Sequence, residues 1–375
     1  MSGFRVASIV ITSYNYGRFL NNAIDSALNQ TYPCTEVIVV DDGSRDSSPE
    51  IISAYGKRII PVWKENRGQA SAFNAGFGAS RGDVVLFLDS DDSLLPTAVE
   101  KAVALLGDPG VAKAHWALWV VDEDGKKTGK LRPRRALVEG DLRSRVLREG
   151  PIDYNSPPTS GNAWARGFLE QVLPAPEKEY RTFADSYLIE LAPFFGSVVA
   201  ITEPQGFYRV HGQNNHLAAD FGEMLARKLR CFEIQCSALR RCFPDPGIAL
   251  DTEAWKAHSW WHRLYRATEE IAAVIPPGDT FILVDEGRWG TDDTIAGRHR
   301  ISFVERDGQW CGRPPDDETA IREIERLRHA GSGFIVFAWP AFWWLDYYRG
   351  LHDYVRSHFQ CLRENERLIV FDLRQ

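Results

Sequence analysis

The run Asp83-Val-Val-Leu-Phe-Leu-Asp-Ser-Asp-Asp92 sets three carboxylates, Asp89, Asp91 and Asp92, directly after a short apolar stretch. Five apolar residues are too few for a helix and fit a strand buried on both faces, which puts the acids at its C-terminal end. Carboxylates packed this closely repel one another. Either a hard divalent cation bridges them, or they turn to solvent and Asp92-Ser93 caps a helix over residues 94–106. The stretch alone leaves both readings open.

The elements around the acids narrow the choice. The first 110 residues alternate short apolar runs with helical spacing, the pattern of βαβ units on a parallel sheet. Strands are predicted over 7–12, 36–40, 59–63 and up to Asp89, and helices over 17–30, 48–55 and 69–79. Such sheets bind ligands beyond the C-terminal ends of their strands. Three of those ends carry polar groups: Thr12-Ser13-Tyr14-Asn15, Asp41-Asp42-Gly43-Ser44 and Asp89-Ser90-Asp91-Asp92. One cleft can collect all three.

Further along, residues 111–121 read as a strand and 126–148 as a basic, solvated loop with Arg132, Arg134 and Arg135 inside it. Residues 151–158 should be loop, 183–195 helix, and 198–202 and 206–210 short strands, with polar 212–216 after them. A helical pattern fills 220–274, including 255–273, until Pro276-Pro277-Gly278 breaks it. A second α/β pattern follows. Strands are predicted over 281–284, 301–304 and 334–338, helices over 317–329 and 340–359, and a hairpin of 360–363 with 367–373. Acids follow these strands at Asp285-Glu286, Glu305 and Asp307, which marks either a second ligand site or loop polarity. The expected division is 1–219, a helical connecting segment 220–275, and a small α/β accessory module 276–375.

Four motifs, Ser8-Ile-Val-Ile-Thr-Ser-Tyr-Asn15, Val39-Val-Asp-Asp-Gly-Ser44, Asn66-Arg-Gly-Gln-Ala-Ser71 and Asp89-Ser-Asp-Asp92, resemble in order and spacing the family 2 glycosyltransferases of GT-A fold. The resemblance covers residues 5–216 and not the C-terminal third. It implies an α/β class: a Rossmann-like, mostly parallel sheet flanked by helices, followed here by the helical segment and the second small module. It also implies roles. Thr12, Ser13, Tyr14 and Asn15 lie against the nucleotide, with Arg67, Gly68, Asp89 and Ser90, and Asp42 accepts a hydrogen bond from the base. A carboxylate facing an imide N–H suits uracil or thymine, while a plain turn before Gly43 is the other reading of Asp42.

The same resemblance makes the acidic cluster an Asp-x-Asp motif, in which Mn²⁺ or Mg²⁺ bridges protein and donor diphosphate. Asp91 is the first choice as ligand, Asp92 a second ligand or a cap, and Asp89 faces the ribose. Tyr208-Arg-Val-His211 resembles a segment whose histidine supplies another ligand and whose loop covers the diphosphate, with Arg209 suited to phosphate. Inversion at the anomeric carbon needs a base for the acceptor hydroxyl. Arg181-Thr-Phe-Ala-Asp-Ser-Tyr-Leu188 resembles the segment carrying that carboxylate, which falls on Asp185; the usual Glu before it is Ala184 here. Alone, Asp185 reads as a first-turn helix acid. Ser160-Gly161-Asn162-Ala-Trp164 occupies the acceptor-side loop, where Trp164 either stacks on a sugar or packs in the core.

Composition sets the outer bounds. The chain has 375 residues, 44% apolar and 25% charged, as an ordinary folded protein has, and a net charge of -7 argues against a nucleic-acid binder. Six cysteines without Cys-x-x-Cys spacing imply no structural zinc. No signal peptide and no apolar run near 18 residues is visible, so a cytoplasmic location is expected. The Gln-x-x-Arg-Trp motif of processive members is absent. The expectation is an inverting, metal-dependent, non-processive transfer of one sugar from a UDP- or dTDP-sugar to a carbohydrate, lipid-linked or peptide acceptor, in polysaccharide or glycoconjugate biosynthesis. The accessory module would serve acceptor binding or self-association into a homo-oligomer. Two alternatives stand beside it: an inactive nucleotide-sugar-binding or scaffold protein, and a sugar-1-phosphate nucleotidyltransferase. The latter expects a Gly-rich, Arg- and Lys-containing loop after the first strand, where this chain has Thr12-Ser-Tyr-Asn-Tyr-Gly17.

Overall fold

In the computed structural model, which describes residues 5–151, 154–212, 220–243, 250–290, 294–306 and 309–374, the chain divides into two units. Residues 1–217 with 232–255 make the first, and 218–231 with 256–375 the second.

The first unit is built on one large sheet. Its strands are β1 (Ala7–Ser13), β2 (Thr35–Asp41), β3 (Ile60–Trp63), β4 (Val84–Asp89), β5 (Ser93–Leu94), β6 (Val111–Val121), β7 (Lys127–Arg132), β8 (Asn162–Ala165) and β9 (Ser197–Arg209). They run in the order β3-β2-β1-β4-β8-β6-β9-β5, with β7 paired to β6. β1, β2, β3 and β4 are parallel to one another, as the alternation predicts. Beyond β4 the sheet is mixed, because β8 lies antiparallel between β4 and β6.

The apolar runs of the central strands are buried on both faces, and helices cover each. α1 (Gly17–Leu28) buries Phe19, Leu20, Ala23, Ile24 and Ala27, a single helical stripe, against Ile9, Ile11 and Leu88. α2 (Ser48–Ala54) follows β2, and α4 (Ala98–Leu105) packs Ala98, Val99 and Ala102 into the same core. On the opposite face α3 (Gln69–Ala79) stacks Phe73 on Phe87 of β4, ring centroids 3.9 Å apart. α5 (Arg143–Glu149), α6 (Arg166–Val172) and α7 (Ala184–Leu191) complete that side.

Several expectations shift. The helix expected over 94–106 starts at Ala98, because Pro96 disfavours helical backbone before it and Ser93-Leu94 is taken by pairing with β9. Part of the basic stretch is not loop, since Lys127–Arg132 pairs with β6. The two short strands expected near 198–210 are one strand, β9, whose register with β6 slips between Trp116 and Leu118.

The helical stretch forms α8 (Phe221–Cys242), α9 (Thr252–His258) and α10 (Trp260–Val274), and its residues are shared between the units. The second unit holds β10 (Thr280–Val284), β11 (Thr294–Ile295), β12 (Arg298–Ser302), the hairpin β13 (Glu305–Arg306) and β14 (Gln309–Trp310), β15 (Phe334–Ala338), β16 (Gln360–Glu364) and β17 (Leu368–Asp372). Its main sheet has the order β11-β12-β10-β15-β17-β16. α11 (Asp317–His329) opens on Asp316, whose side chain accepts from Thr319 N, and ends in Arg326, Arg328 and His329, matching the helix dipole at both ends. The long aromatic helix expected over 340–359 is broken into a turn, α12 (Trp343–Tyr347) and α13 (Arg349–His358). Tyr348 leaves helical backbone at the break, its hydroxyl donating to Pro314 O, and Asp317 then caps Leu351 N. Among the described residues no helix is long and apolar enough to cross a membrane.

Candidate active site

Strand register brings the polar ends level. Thr12 of β1 stands opposite Asp89 of β4, and Ser13 opposite Asp41 of β2. Ser13 Oγ and Asp41 Oδ1 are buried and, among the described residues, have no hydrogen-bond partner. Buried polar atoms are costly unless paired, so this corner calls for water or a ligand.

The loop after β1 is fastened to the turn after β2. Asn15, at φ 59, donates its N–H to Ser44 Oγ and accepts Arg45 N–H on Oδ1. Tyr14 and Trp63, 44% and 50% exposed, help to wall an open cleft of about 650 Å³ with Gly43, Arg45, Lys64, Glu65 and Asn66. Asp42 is buried beside it. Its carboxylate accepts the backbone N–H of Arg67 at 3.1 Å and of Gly68 at 2.7 Å and pairs with Lys64. About one of a carboxylate's four acceptor positions is then left for a ligand. Gly68 sits at φ +90, where an added Cβ would stand 2.5 Å from Arg181 O.

Gln69, the first residue of α3, links three parts of the site. Its amide nitrogen lies 3.4 Å from Asp89 Oδ1 and 3.3 Å from Thr159 Oγ1, and its carbonyl accepts Ala184 N–H at the start of α7. Asp185 is the next residue, half-buried in the first turn, with Ser186 N–H on its Oδ1. Burial, with the charges of Asp91 and Asp185, pushes Asp89 up to about 8. Asp91 and Asp185 are thus both near enough to Asp89 for their charges to act on it.

The acidic cluster splits by role. Asp92 is 2% exposed and both its oxygens are taken, Oδ2 by the Ser160 hydroxyl at 2.7 Å and Oδ1 by Arg209 N–H at 3.0 Å. It caps no helix. Burial and its acidic neighbours push it well above the usual carboxylate range. Ser160 also receives Asp89 N–H, which locks the β4 end to the 159–161 turn, and Ser90 is buried between these acids in the chain. Asp91 differs, since its Oδ2 meets His211 Nε2 at 3.1 Å. The His211 ring is buried against Tyr16 and Phe19, centroids 5.5 and 5.0 Å away. Burial and the charges of Asp91 and Asp89 push the Tyr16 phenol up to about 12.

Other expected residues serve the frame. The Arg209 guanidinium donates to the carbonyls of Asp91 and Glu123 and lies over Phe19, 4.8 Å from its centroid, so these groups hold a loop. Asn162 donates to the carbonyls of Pro158 and Thr159, and a Cβ on Gly161 would stand 2.8 Å from Trp116 O. Trp164 is 1% exposed within the core, so its face is closed to a sugar; the reading as a stacking platform is corrected to core packing. Residues 213–216 of the expected polar segment lie outside the described residues. Sequence reading missed Tyr16, Lys64, Gln69 and Thr159 as site residues. Gln69 alone carried a signal, its place after Gly68 at a predicted helix start.

Among the described residues no group of three or more His, Cys, Asp or Glu stands ready to hold a metal by protein ligands alone. Asp91 and His211 nevertheless fit one corner of a cation's shell. Mg²⁺ is commonly held by one or two carboxylates with substrate phosphates and water completing the octahedron. Asp92 already accepts one hydrogen bond on each oxygen, from Ser160 and from Arg209, which ties it to the frame.

An α/β sheet with acids gathered at the ends of its parallel strands is the frame of a GT-A glycosyltransferase. The crystal structure of S. aureus TarS 1-349 in complex with UDP-GlcNAc shares this fold, with TM-score 0.50 at 13% identity over 72% of this chain and 76% of that one. The glycosyl transferase family 2 model matches residues 8–160. An uncharacterized glycosyltransferase of Nostoc sp., alr2836, is 37% identical over 216 residues, 56% of this chain and 67% of that protein. The succinoglycan biosynthesis protein ExoO of Rhizobium meliloti is 37% identical over 210 residues, 54% of this chain and 60%, less than two thirds, of its own length. The chain belongs to glycosyl transferase family 2, and the enzyme class is glycosyltransferase.

Proposed function

We propose that the chain transfers one sugar, with inversion and with a divalent metal ion, from a UDP- or dTDP-sugar to a carbohydrate acceptor without retaining a growing polymer. One observation carries this reading: at the end of β4 Asp91 meets His211, and Asp89, tied through Gln69 to the start of the helix that bears Asp185, is pushed up to about 8 by burial and by the charges of Asp91 and Asp185. Acids so placed suit a bound cation. The relative named for succinoglycan biosynthesis supports a carbohydrate acceptor.

The protein's own groups divide the work. Tyr14 and Trp63 flank the cleft where a base can stack, and the remaining acceptor position of Asp42 can take an imide N–H. Asp89 faces the ribose. Asp91 and His211 would hold Mn²⁺ or Mg²⁺, which neutralises charge on the departing nucleoside diphosphate. Asp185 takes the acceptor hydroxyl proton as that oxygen attacks the anomeric carbon on the face opposite the leaving diphosphate, which inverts the centre. Gln69 fixes the start of α7 against Asp89, and so the base against the donor side.

Calorimetry with UDP, dTDP and GDP, with and without Mn²⁺, followed by hydrolysis of the matching sugar nucleotides, tests the reading. UDP or dTDP should bind in a metal-dependent way and the corresponding sugar nucleotide should turn over. Binding of none of the three, with or without metal, would sink it.

A further inference from the structure

The second unit presents aromatic and charged side chains that the donor chemistry does not use. Its parallel strands stand in the order β12-β10-β15, while the chain visits β10, then β12, then β15. The carboxyl ends of β10 and β15 therefore border the point where the strand order reverses, where open α/β sheets take their ligands. β10 runs into Asp285-Glu286, and β15 into the turn that leads to α12.

Asp285 is spent on its own turn, accepting Gly287 and Trp289 N–H. Glu286 is not. Its side chain is only 9% exposed, and its hydrogen bonds fall on one oxygen, where two Arg313 nitrogens at 2.9 Å and Trp344 Nε1 at 3.2 Å converge. Among the described residues no donor reaches Oε2. Arg313, 57% exposed, lies over the Trp343 ring, 4.7 Å from its centroid, and Trp343 meets Tyr347 at 5.8 Å. Tyr347 is 68% exposed, the most exposed large apolar side chain among the described residues, whereas Trp344 in the same helix is fully buried. Core packing accounts for Trp344. Core packing also holds one side of Trp343, but it does not account for a carboxylate, a guanidinium and an exposed phenol set in a continuous row with that indole.

A sugar ring has an apolar C–H face and an edge of hydroxyls that both donate and accept. A row that runs from an aromatic face to planar charged groups matches that amphipathic pattern. A phosphate would instead meet Glu286, whose charge already occupies Arg313. We propose that Glu286, Arg313, Trp343 and Tyr347 form a saccharide-binding site, with Tyr347 against the ring face and Glu286 Oε2 and the outer Arg313 nitrogens on neighbouring hydroxyls. The class of ligand rests on the glycosyl-transfer reading, and a carbohydrate acceptor is its natural source.

Intrinsic tryptophan fluorescence of the full chain, titrated with glucose, galactose, mannose, N-acetylglucosamine and their α- and β-linked disaccharides, tests this. At least one sugar should saturate the signal. Tyr347→Ala and Glu286→Gln should each weaken it about tenfold, and Asp91→Asn should leave it unchanged. Should Glu286→Gln fail to fold by circular dichroism, the surface variant Tyr347→Ala decides alone. No saturable binding of any of these sugars, or wild-type affinity in Tyr347→Ala, overturns the proposal, as does loss of binding in Asp91→Asn, which would put the sugar in the first unit. Saccharide binding without turnover of any sugar nucleotide would defeat the transferase reading and leave this one standing.

Discussion

Asp91 and Asp92 are neighbours in the chain with different tasks. Asp92 accepts hydrogen bonds from Ser160 and Arg209, whereas Asp91 meets His211. Asp91→Asn and chelation should therefore act alike: each should lower calorimetric affinity for UDP or dTDP, because the diphosphate would meet the acids without an intervening cation. Equal affinity with and without chelator would remove the metal from the scheme. Asp185→Asn is expected to bind donor normally and to transfer on the order of 10²-fold more slowly or worse, the usual size of a general-base effect. Wild-type turnover with saturating acceptor would place the base elsewhere. At this scale residue type and spacing were enough to single out Asp91 and His211, which the fold brings within 3.1 Å of each other. The sequence was blind to what each side chain faces. Nothing in the composition around Trp164 separates a sugar platform from a core indole; only its burial against Phe168 and the sheet does.

Among elements, the tight passage from β3 into α3 sets much of the site. Gly68 sits at φ +90, which L side chains rarely adopt, and Arg181 O leaves no room for a Cβ there; its N–H together with that of Arg67 fixes Asp42. Gly68→Ala should cost about 1–3 kcal/mol, as a strained backbone position does, and lower nucleotide affinity as well. Thermal unfolding and calorimetry on the same variant check both, and a variant with unchanged melting temperature and affinity would show that the loop adapts. The parallel strands, α3 and α11 were legible because long apolar runs and helical spacing leave few alternatives. β8 was not, since Asn162-Ala-Trp-Ala165 is too short to show a period and is made a strand only by β4 and β6 on either side. The break at Tyr348 escaped for a similar reason: Asp317, distant in sequence, makes the break favourable.

For the molecule as a whole, acid sensitivity has an identifiable source in β6. His115 is fully buried, one ring nitrogen against Val138 O at 3.0 Å, and burial with the Lys113 charge holds its imidazole down at about 2. The unfolded chain takes up a proton near the ordinary 6.5 while the folded chain does not. Stability is therefore fully present above about 6.5 and is lost as pH falls below it, by at most about 1.4 kcal/mol per pH unit from this one group. Urea midpoints between pH 7 and 5 should fall more steeply for the native chain than for His115→Gln. Parallel slopes would mean that another group governs the acid side.

The pairing of β5 with β9 has a consequence in time. Asp91 and His211 are 120 residues apart and meet where Ser93-Leu94 reaches across to the end of β9. The walls of the open cleft, by contrast, come from residues 14–66. During synthesis the cleft walls are all made long before the ribosome releases residue 211, and the corner that would take a cation closes last. A nascent or truncated chain ending short of β9 thus has the walls of the cleft but lacks the corner proposed for the ion, and under the proposed scheme it would not turn over a sugar nucleotide until β9 docks.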